Sequence, residues 1–388
     1  MYDVVLLTLG SERDAPGGGC GSGDGCCGGA PQAAGQPAGE RTDPTAGQTP
    51  TGRPTGGHEQ TGAGGHEQTG AGGHEQTGAE GHERAEAGGH GTEQGRCETP
   101  RVPVLACADA LTARGARVET VVARSDAEVD EVLARLDAPA RPDGLTWPDP
   151  DSKVRLVVAT ATDAQLRAVV RRLVRRYAPP PSRRPAELAG NRTVPDLPPI
   201  GVLPLDPARG GPHRDLAAQL GLPRDPAAVA AAVLDGGVRR LDLLRNDGGS
   251  VTLDGALLGA ADDSGRPLHW RGRVEVDDAV LTDGADPILA CAIGNAGGYA
   301  TLDSLPLLTA GDPTDGLVEV AVAVPVPTRS TLGRKKKIRY EVRRARGRAV
   351  AVIPRDERVP FLDDGVEGEL SRKRSWWTEP GAWAVFTG

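Results

Sequence analysis

An α/β unit with a parallel sheet covered by helices on both faces, followed by a mainly antiparallel β unit, is the fold class this sequence predicts. Three observations carry it. In residues 154–177 an apolar run, Val154 to Ala159, suits a buried parallel strand. It is followed at Leu166, Val169, Val170, Leu173 and Val174 by one face of a 3.6-period helix. The same strand-then-helix alternation occurs twice upstream, the mark of a sheet covered on both sides. After Val238 the pattern changes to short apolar runs separated by Gly, Pro and Asp, as in antiparallel sheets.

Taken in order, Val4 to Leu9 reads as the first strand. Residues 10–101 then hold half of the glycine and almost no large apolar side chains, so burial cannot offset their chain entropy. This low-complexity insert carries Cys20, Cys26 and Cys27. An eight-residue repeat, Gly-Gly-His-Glu-Gln-Thr-Gly-Ala, starts at Gly56 and keeps His58, His66, His74, His82 and His90 in register. Thiols and imidazoles on one loop are metal-ligand types. The alternative is a slippage-expanded segment without ligand geometry, since the Cys spacing matches no zinc pattern and glycine fixes no shape.

Structure is expected to resume at residue 102 and to complete the first domain by residue 236. Leu105, Ala108 and Leu111 mark a helix with Gly115 as its C-cap, and Val118 to Val122 the next strand. Ser125 and Glu128 form a capping box ahead of the stripe Val129, Val132, Leu133 and Leu136. Prolines from 139 to 150 make a loop into the central strand. Thr160 to Gln165 reads as a turn, and the helix after it turns Arg167, Arg171, Arg172, Arg175 and Arg176 outward. A Pro- and Arg-rich linker leads to a strand at 200–205, and Asp225-Pro226 opens an Ala-rich helix. In the second domain, 237–388, strands are expected at 288–293, 317–324, 338–342, 349–353 and 383–386.

The formal charge of −8 argues against general nucleic-acid binding. The opening segment lacks a basic n-region and is too short for a signal h-region or a membrane span, so six cysteines read as reduced thiols of a cytoplasmic protein. Residues 334–348 form a basic run that would attract anionic lipid if it faced outward, which suggests peripheral attachment to the inner face of a membrane.

Asp163 falls at a strand-to-helix turn, where open sheets bind ligands and helix amides favour phosphate. Capping its own helix is the alternative. The turn Ala161-Thr162-Asp163-Ala164-Gln165 resembles the Gly-Gly-Asp-Gly-Thr nucleotide-binding turn of the diacylglycerol-kinase-like lipid kinases, with the Asp kept and the glycines and Thr replaced. Further landmarks follow in the family's order. Ile200-Gly-Val-Leu-Pro-Leu205 precedes Asp215-Leu-Ala-Ala-Gln-Leu-Gly-Leu-Pro223, and Asp242 lies at the entry to the second domain. Asp312-Pro-Thr-Asp315-Gly316-Leu317 comes next, and Asp364-Gly365-Val366-Glu367 stands near the end.

The resemblance implies the two-domain fold shared by NAD kinases and diacylglycerol kinases. It implies an ATP-dependent kinase that phosphorylates a lipid hydroxyl at a membrane surface, and leaves self-association as a homodimer open. Asp364 would be the general base, helped by Glu367. Asp163, Asp215 and Asp242, with positions 161–165, would serve ATP and its metal. Asp312, Asp315 and the carbonyl of Leu317 would hold a structural Mg2+. A catalytically impaired pseudokinase that binds lipid or a partner through the same cleft is the competing reading, because a turn without glycines cannot cradle phosphate closely. A soluble nucleotide kinase of the NAD-kinase group is a third, disfavoured by the Asp312–Leu317 loop and the terminal acids.

Overall fold

The computed structural model describes residues 1–10 and 101–388, apart from 187, 189, 207–214, 263–264, 297–300, 303–304, 310, 327–338 and 356–357. The chain divides into one compact unit, Met1–Gly21 with Gly95–Gly388, and a second, Ser22–Gln94. The cysteines at 20, 26 and 27 and the His repeat lie outside the described residues.

The first half holds β1 (Asp3–Leu9), α1 (Arg101–Ala113), β2 (Arg117–Ala123), α2 (Asp126–Leu133), β3 (Val154–Thr160), α3 (Asp163–Tyr177), β4 (Pro199–Pro204), α4 (Leu216–Gln219) and α5 (Pro226–Asp235). The strands pair in parallel in the order β2-β1-β3-β4. The pleat decides what each face buries. Val5, Leu7 and Leu9 meet the stripes of α2 and α3, whereas Val4 and Leu6 meet Val104, Cys107 and Leu111 of α1 and Val229 and Val233 of α5. Helices therefore cover both faces, as expected. Ser125 caps α2 by accepting from the Glu128 amide at 3.2 Å, while Glu128 accepts from the amide of Arg124. Gly115 takes φ +87 after α1, a conformation that only glycine adopts without strain.

The second half holds β5 (Gly237–Asn246), β6 (Val251–Thr252), β7 (Gly255–Leu258), β8 (Trp270–Val276), β9 (Ala279–Ile288), β10 (Ala290–Gly294), β11 (Thr301–Leu302) and β12 (Leu305–Pro306). It ends with β13 (Val318–Val326), β14 (Arg339–Gly347), β15 (Ala349–Pro354), β16 (Val359–Asp363), β17 (Val366–Leu370) and β18 (Arg374–Thr387). An antiparallel sheet, β14-β13-β10-β7-β16-β17, packs against β8, β15 and the start of β18 through Ile293, Val320, Val322, Val274, Val352 and Trp376. The expected mainly antiparallel second half is present.

Several sequence expectations need correction. The strand expected at 288–293 is two strands broken at Leu289, whose amide donates to Ala323 O. The strand expected at 383–386 is the end of the fourteen-residue β18. Between Glu379 and Trp383, at Pro380-Gly381, the strand is bulged rather than broken, with Gly381 at φ +57. As a result β18 runs antiparallel to β15 and β5 and then parallel to β4, so one ten-stranded sheet spans both halves.

The helix after the central strand begins at Asp163 rather than at Leu166, because Thr162 supplies a cap. Nor do all of its arginines face outward, although Arg175 does. Arg172 donates to Asp130 and Asp126, and Arg176 to Asp137, which clamps α3 to α2 and the loop after it. Arg167 is buried.

Candidate functional site

The order β2-β1-β3 places a switch point beyond the carboxyl ends of β1 and β3, the edge at which open α/β sheets take ligands. Thr160–Asp163 leave this edge from β3, and Asp206 leaves it from β4. The cavity between them is about 10 Å3, room for one water, and is lined by Ala161, Thr162, Asp163, Asp206 and Asp215.

The turn is not a glycine turn that has lost its glycines. Among the described residues other than glycine, only Asp277 and Asp364 have positive φ, so positions 161–165 need no glycine. Thr162, extended at φ −142, is the N-cap, and its Oγ1 accepts from the Gln165 amide at 3.4 Å. The side chain of Gln165 reaches back, and its Oε1 accepts from the Ala161 amide at 2.8 Å. Thr-x-x-Gln is a capping-box pattern, and that signal was present in the sequence. An amide that would face a phosphate is thereby turned to Gln165.

Asp163 consequently does not cap its own helix. Its two carboxylate oxygens lie 3.2 and 3.1 Å from the amide of Leu216, the first residue of α4. Asp215 caps α4, accepting from the Ala218 amide at 2.9 Å and from Arg224 Nη1 at 2.6 Å. Arg224 also donates to Asp206 O at 2.8 Å, and the Asp215 contact is the main reason its pKa is raised. Two helix N-termini and two aspartates are thus tied together at the strand ends.

One turn along α3, Arg167 is only 8% exposed. Its Nε donates to Val251 O at 2.7 Å, and its Nη2 donates to Ser250 Oγ at 2.8 Å and Asp363 Oδ2 at 2.7 Å. Its Nε also lies 3.7 Å from Asp364 Oδ2. Asp364 and Gly365, at φ +48 and +80, are the two central residues of the hairpin turn between β16 and β17, the Asp-Gly pattern of a type I′ turn. The Asp364 carboxylate is buried and accepts from the amides of Leu253, Asp254 and Gly255 at 2.6, 2.9 and 3.0 Å. Burial pushes both neighbouring carboxyls upward, Asp363 to about 7, against the pull of Arg167.

Gln219 of α4 donates to Asp254 Oδ2 at 2.9 Å. The polar contacts therefore close a ring: α3, α4, the 253–255 turn, the 364–365 hairpin and back through Arg167. The structure brings Asp163, Asp215 and Asp364 into this one ring. Glu367 stands apart, exposed on the edge strand β17.

Asp242 belongs to a second cluster. Its Oδ1 accepts from the Gly381 amide in the β18 bulge and its Oδ2 from the Gly316 amide, both at 2.6 Å, while its own amide donates to Pro313 O. Burial, reinforced by the charges of Asp315 and Asp312, raises its pKa against the two amides. The donors of the 312–317 loop do not fit a Mg2+ ion. Asp312 Oδ1 accepts from the amide and hydroxyl of Thr314, Asp315 Oδ1 accepts from the Leu317 amide, and Asp315 Oδ2 pairs with Arg346. Among the described residues no group of three His, Cys, Asp or Glu side chains could hold a metal. Arg346 supplies positive charge where a cation would be needed. EDTA is therefore expected to leave the thermal midpoint of the wild type unchanged, while Arg346→Ala lowers it by about 2–4 °C. A wild-type midpoint that drops on chelation would show that this loop does take a metal.

Sequence reading missed Arg224, Asp254 and Asn295; it placed Arg167 on an outward face and Gln165 in a nucleotide turn rather than in a cap. Asn295 is buried and donates from Nδ2 to Asp242 O and Leu253 O at 2.8 and 2.9 Å, which joins the two clusters.

In this architecture a doubly covered parallel sheet shares its last strand with an antiparallel β half. Solved structures similar to it include a diacylglycerol kinase from Bacillus anthracis str. Sterne, 13% identical, covering 74% of this chain and 92% of that chain with a TM-score of 0.47. An NAD kinase from Archaeoglobus fulgidus, solved in complex with ATP, is 14% identical and covers 73% and 89%, with a TM-score of 0.39. No family model and no curated protein matches the chain.

Proposed function

We propose that this chain is a phosphotransferase of the diacylglycerol-kinase type, passing the γ-phosphate of ATP, supplied with its Mg2+, to a lipid hydroxyl at the carboxyl edge of β3 and β4. The observation that carries this reading is that Asp163, accepting from the first amide of α4, and Asp215, capping that helix with Arg224 beside it, meet at the strand ends. Phosphoryl transfer depends on positioning and on charge more than on covalent help from the protein, and these groups are of the right kind. The turn must first open. The bond from the Ala161 amide to Gln165 is worth about 1 kcal/mol net, which nucleotide contacts at the same amide would replace.

A second reading, ligand binding without transfer, is favoured by one specific observation. The Asp364 carboxylate is committed to three backbone amides, and a lipid hydroxyl would have to displace them to give it a proton. Among the described residues no helix is long and apolar enough to cross a membrane. Attachment to a membrane surface, if it serves the reaction, cannot draw on the whole basic run. Arg343 and Arg346 are paired with acids, Arg344 donates to Leu307 O, and residues 334–338 lie outside the described set.

Calorimetry with ATP and Mg2+, followed by a radiolabelled assay on diacylglycerol in mixed micelles, tests the choice. Gln165→Ala frees the Ala161 amide and is expected to tighten ATP binding about threefold to tenfold over the wild type. If neither protein binds ATP the kinase reading fails. ATP binding with no phosphorylated lipid supports the second reading.

A further inference from the structure

A large cavity lies at the other end of the sheet. It is about 880 Å3, within the size range of small-molecule sites, and it opens at the amino-terminal ends of β3 and β4. Its walls come from the loop after α2, the linker before β4, the start of β5 and the end of β18. Leu136, Val154, Leu197, Val238 and several prolines make the walls apolar, and Trp147 and Phe386 add flat surface.

Into this apolar space project four arginines, Arg141, Arg155, Arg192 and Arg240, against two lining acids, Asp149 and Asp196, with Arg141 also paired to Asp143 at 3.0 Å. Asp196 serves two of the arginines at once, pairing with Arg192 and lying 3.3 Å from Arg240 Nε. The Nε and Nη2 atoms of Arg192 are buried within the wall, and its Nη1 pairs with Asp196. Burial, with the neighbouring charge of Arg192, lowers the pKa of Arg240 despite Asp196. Arg155 is stacked on Tyr2 at 3.6 Å and on Phe386 at 5.0 Å, and Arg141 on Trp147 at 4.9 Å, so these two guanidinium planes are held by rings. A surplus of forked cations in an apolar chamber is suited to an oxyanion attached to a flat apolar body.

We infer that this cavity is a second binding site, distinct from the Asp163–Asp215 edge, for a small organic oxyanion, a phosphate monoester or carboxylate on an aromatic or similarly flat apolar group. The oxyanion sits between Arg192 and Arg240, and the apolar body lies against the walls near Trp147 and Phe386. The inference does not depend on phosphotransferase activity.

Titration calorimetry of the full chain with phenyl phosphate, benzoate, inorganic phosphate and phenol tests it. Phenyl phosphate or benzoate is expected to bind with a Kd of about 0.1 mM or tighter, at least tenfold better than inorganic phosphate or phenol. The tighter of the two acids assigns the head group. Arg192→Met keeps the bulk and removes the charge, and it should weaken binding about tenfold or more. Trp147→Ala, read alongside, should weaken the aromatic acid and leave inorganic phosphate unchanged. Circular dichroism confirms that both variants fold. Binding of the aromatic acids no better than of inorganic phosphate, or unaltered in a folded Arg192→Met, overturns the site.

Discussion

Replacing Arg167 by methionine is expected to cost about 3–5 kcal/mol of folding stability at neutral pH, read as the urea midpoint from the buried Trp376 and Trp383. The reason is that Arg167 is the cation beside two buried carboxylates, Asp363 at 2.7 Å and Asp364 at 3.7 Å. The size of the effect comes from what is left behind, two buried acids without a counter-charge. The loss should depend on pH, in a direction that follows from linkage. Burial raises the pKa of Asp363 from 3.8 to about 7, so between these values the folded chain binds more protons than the unfolded one. Wild-type stability therefore falls across that window as pH rises. Without Arg167 both carboxyls rise further, so the variant suffers least near pH 5 and most above neutrality. A loss of equal size at pH 5 and pH 8 would mean that Arg167 contributes by packing alone.

Asp364→Asn is expected to destabilise the protein by about 1–3 kcal/mol even though asparagine tolerates a left-handed backbone as well as aspartate does. The hairpin turn survives, but the carboxylate presents two accepting oxygens to three amides, and the amide side chain presents only one. Its NH2 group must then face a backbone N–H in a site closed to water. Arg167 loses half of its compensation as well. A residue acting only as a catalytic base would show the opposite pattern, with turnover abolished and the unfolding midpoint unmoved. Measuring both on one preparation separates the two roles, and an unchanged midpoint would remove Asp364 from the framework.

The features of the structure legible in the sequence are those that depend on local pattern. The stripe of α2, the Ser125 cap, the period of α3 and the apolar strands β1, β3 and β4 each report a single element burying one face. What could not be read were the contacts set by a neighbour distant in sequence. Periodicity assigns Arg167 to a polar face, and only the arrival of Asp363, nearly two hundred positions later, makes burying it tolerable. The same holds for Asp163, whose partner is an amide of α4 rather than of its own helix. The first part of β18 is not legible because Pro380-Gly381 fits a turn as well as a bulge, and the two use the same residues. Gln165 is a different case. Its capping-box spacing with Thr162 is legible in the sequence, but the same five residues also align with the family's glycine turn.

Because β18 lies far beyond β4 in sequence and, among the described residues, is its only partner on that side, the order of synthesis bears on how the molecule matures. A chain emerging from the ribosome can pair β2, β1, β3 and β4 early, but the outer edge of β4 stays bare until more than 150 further residues have followed it. During that interval an apolar strand edge is available to other chains, the hazard of late, long-range closure. A nascent form of this protein is therefore a natural client for a chaperone that shields a strand edge.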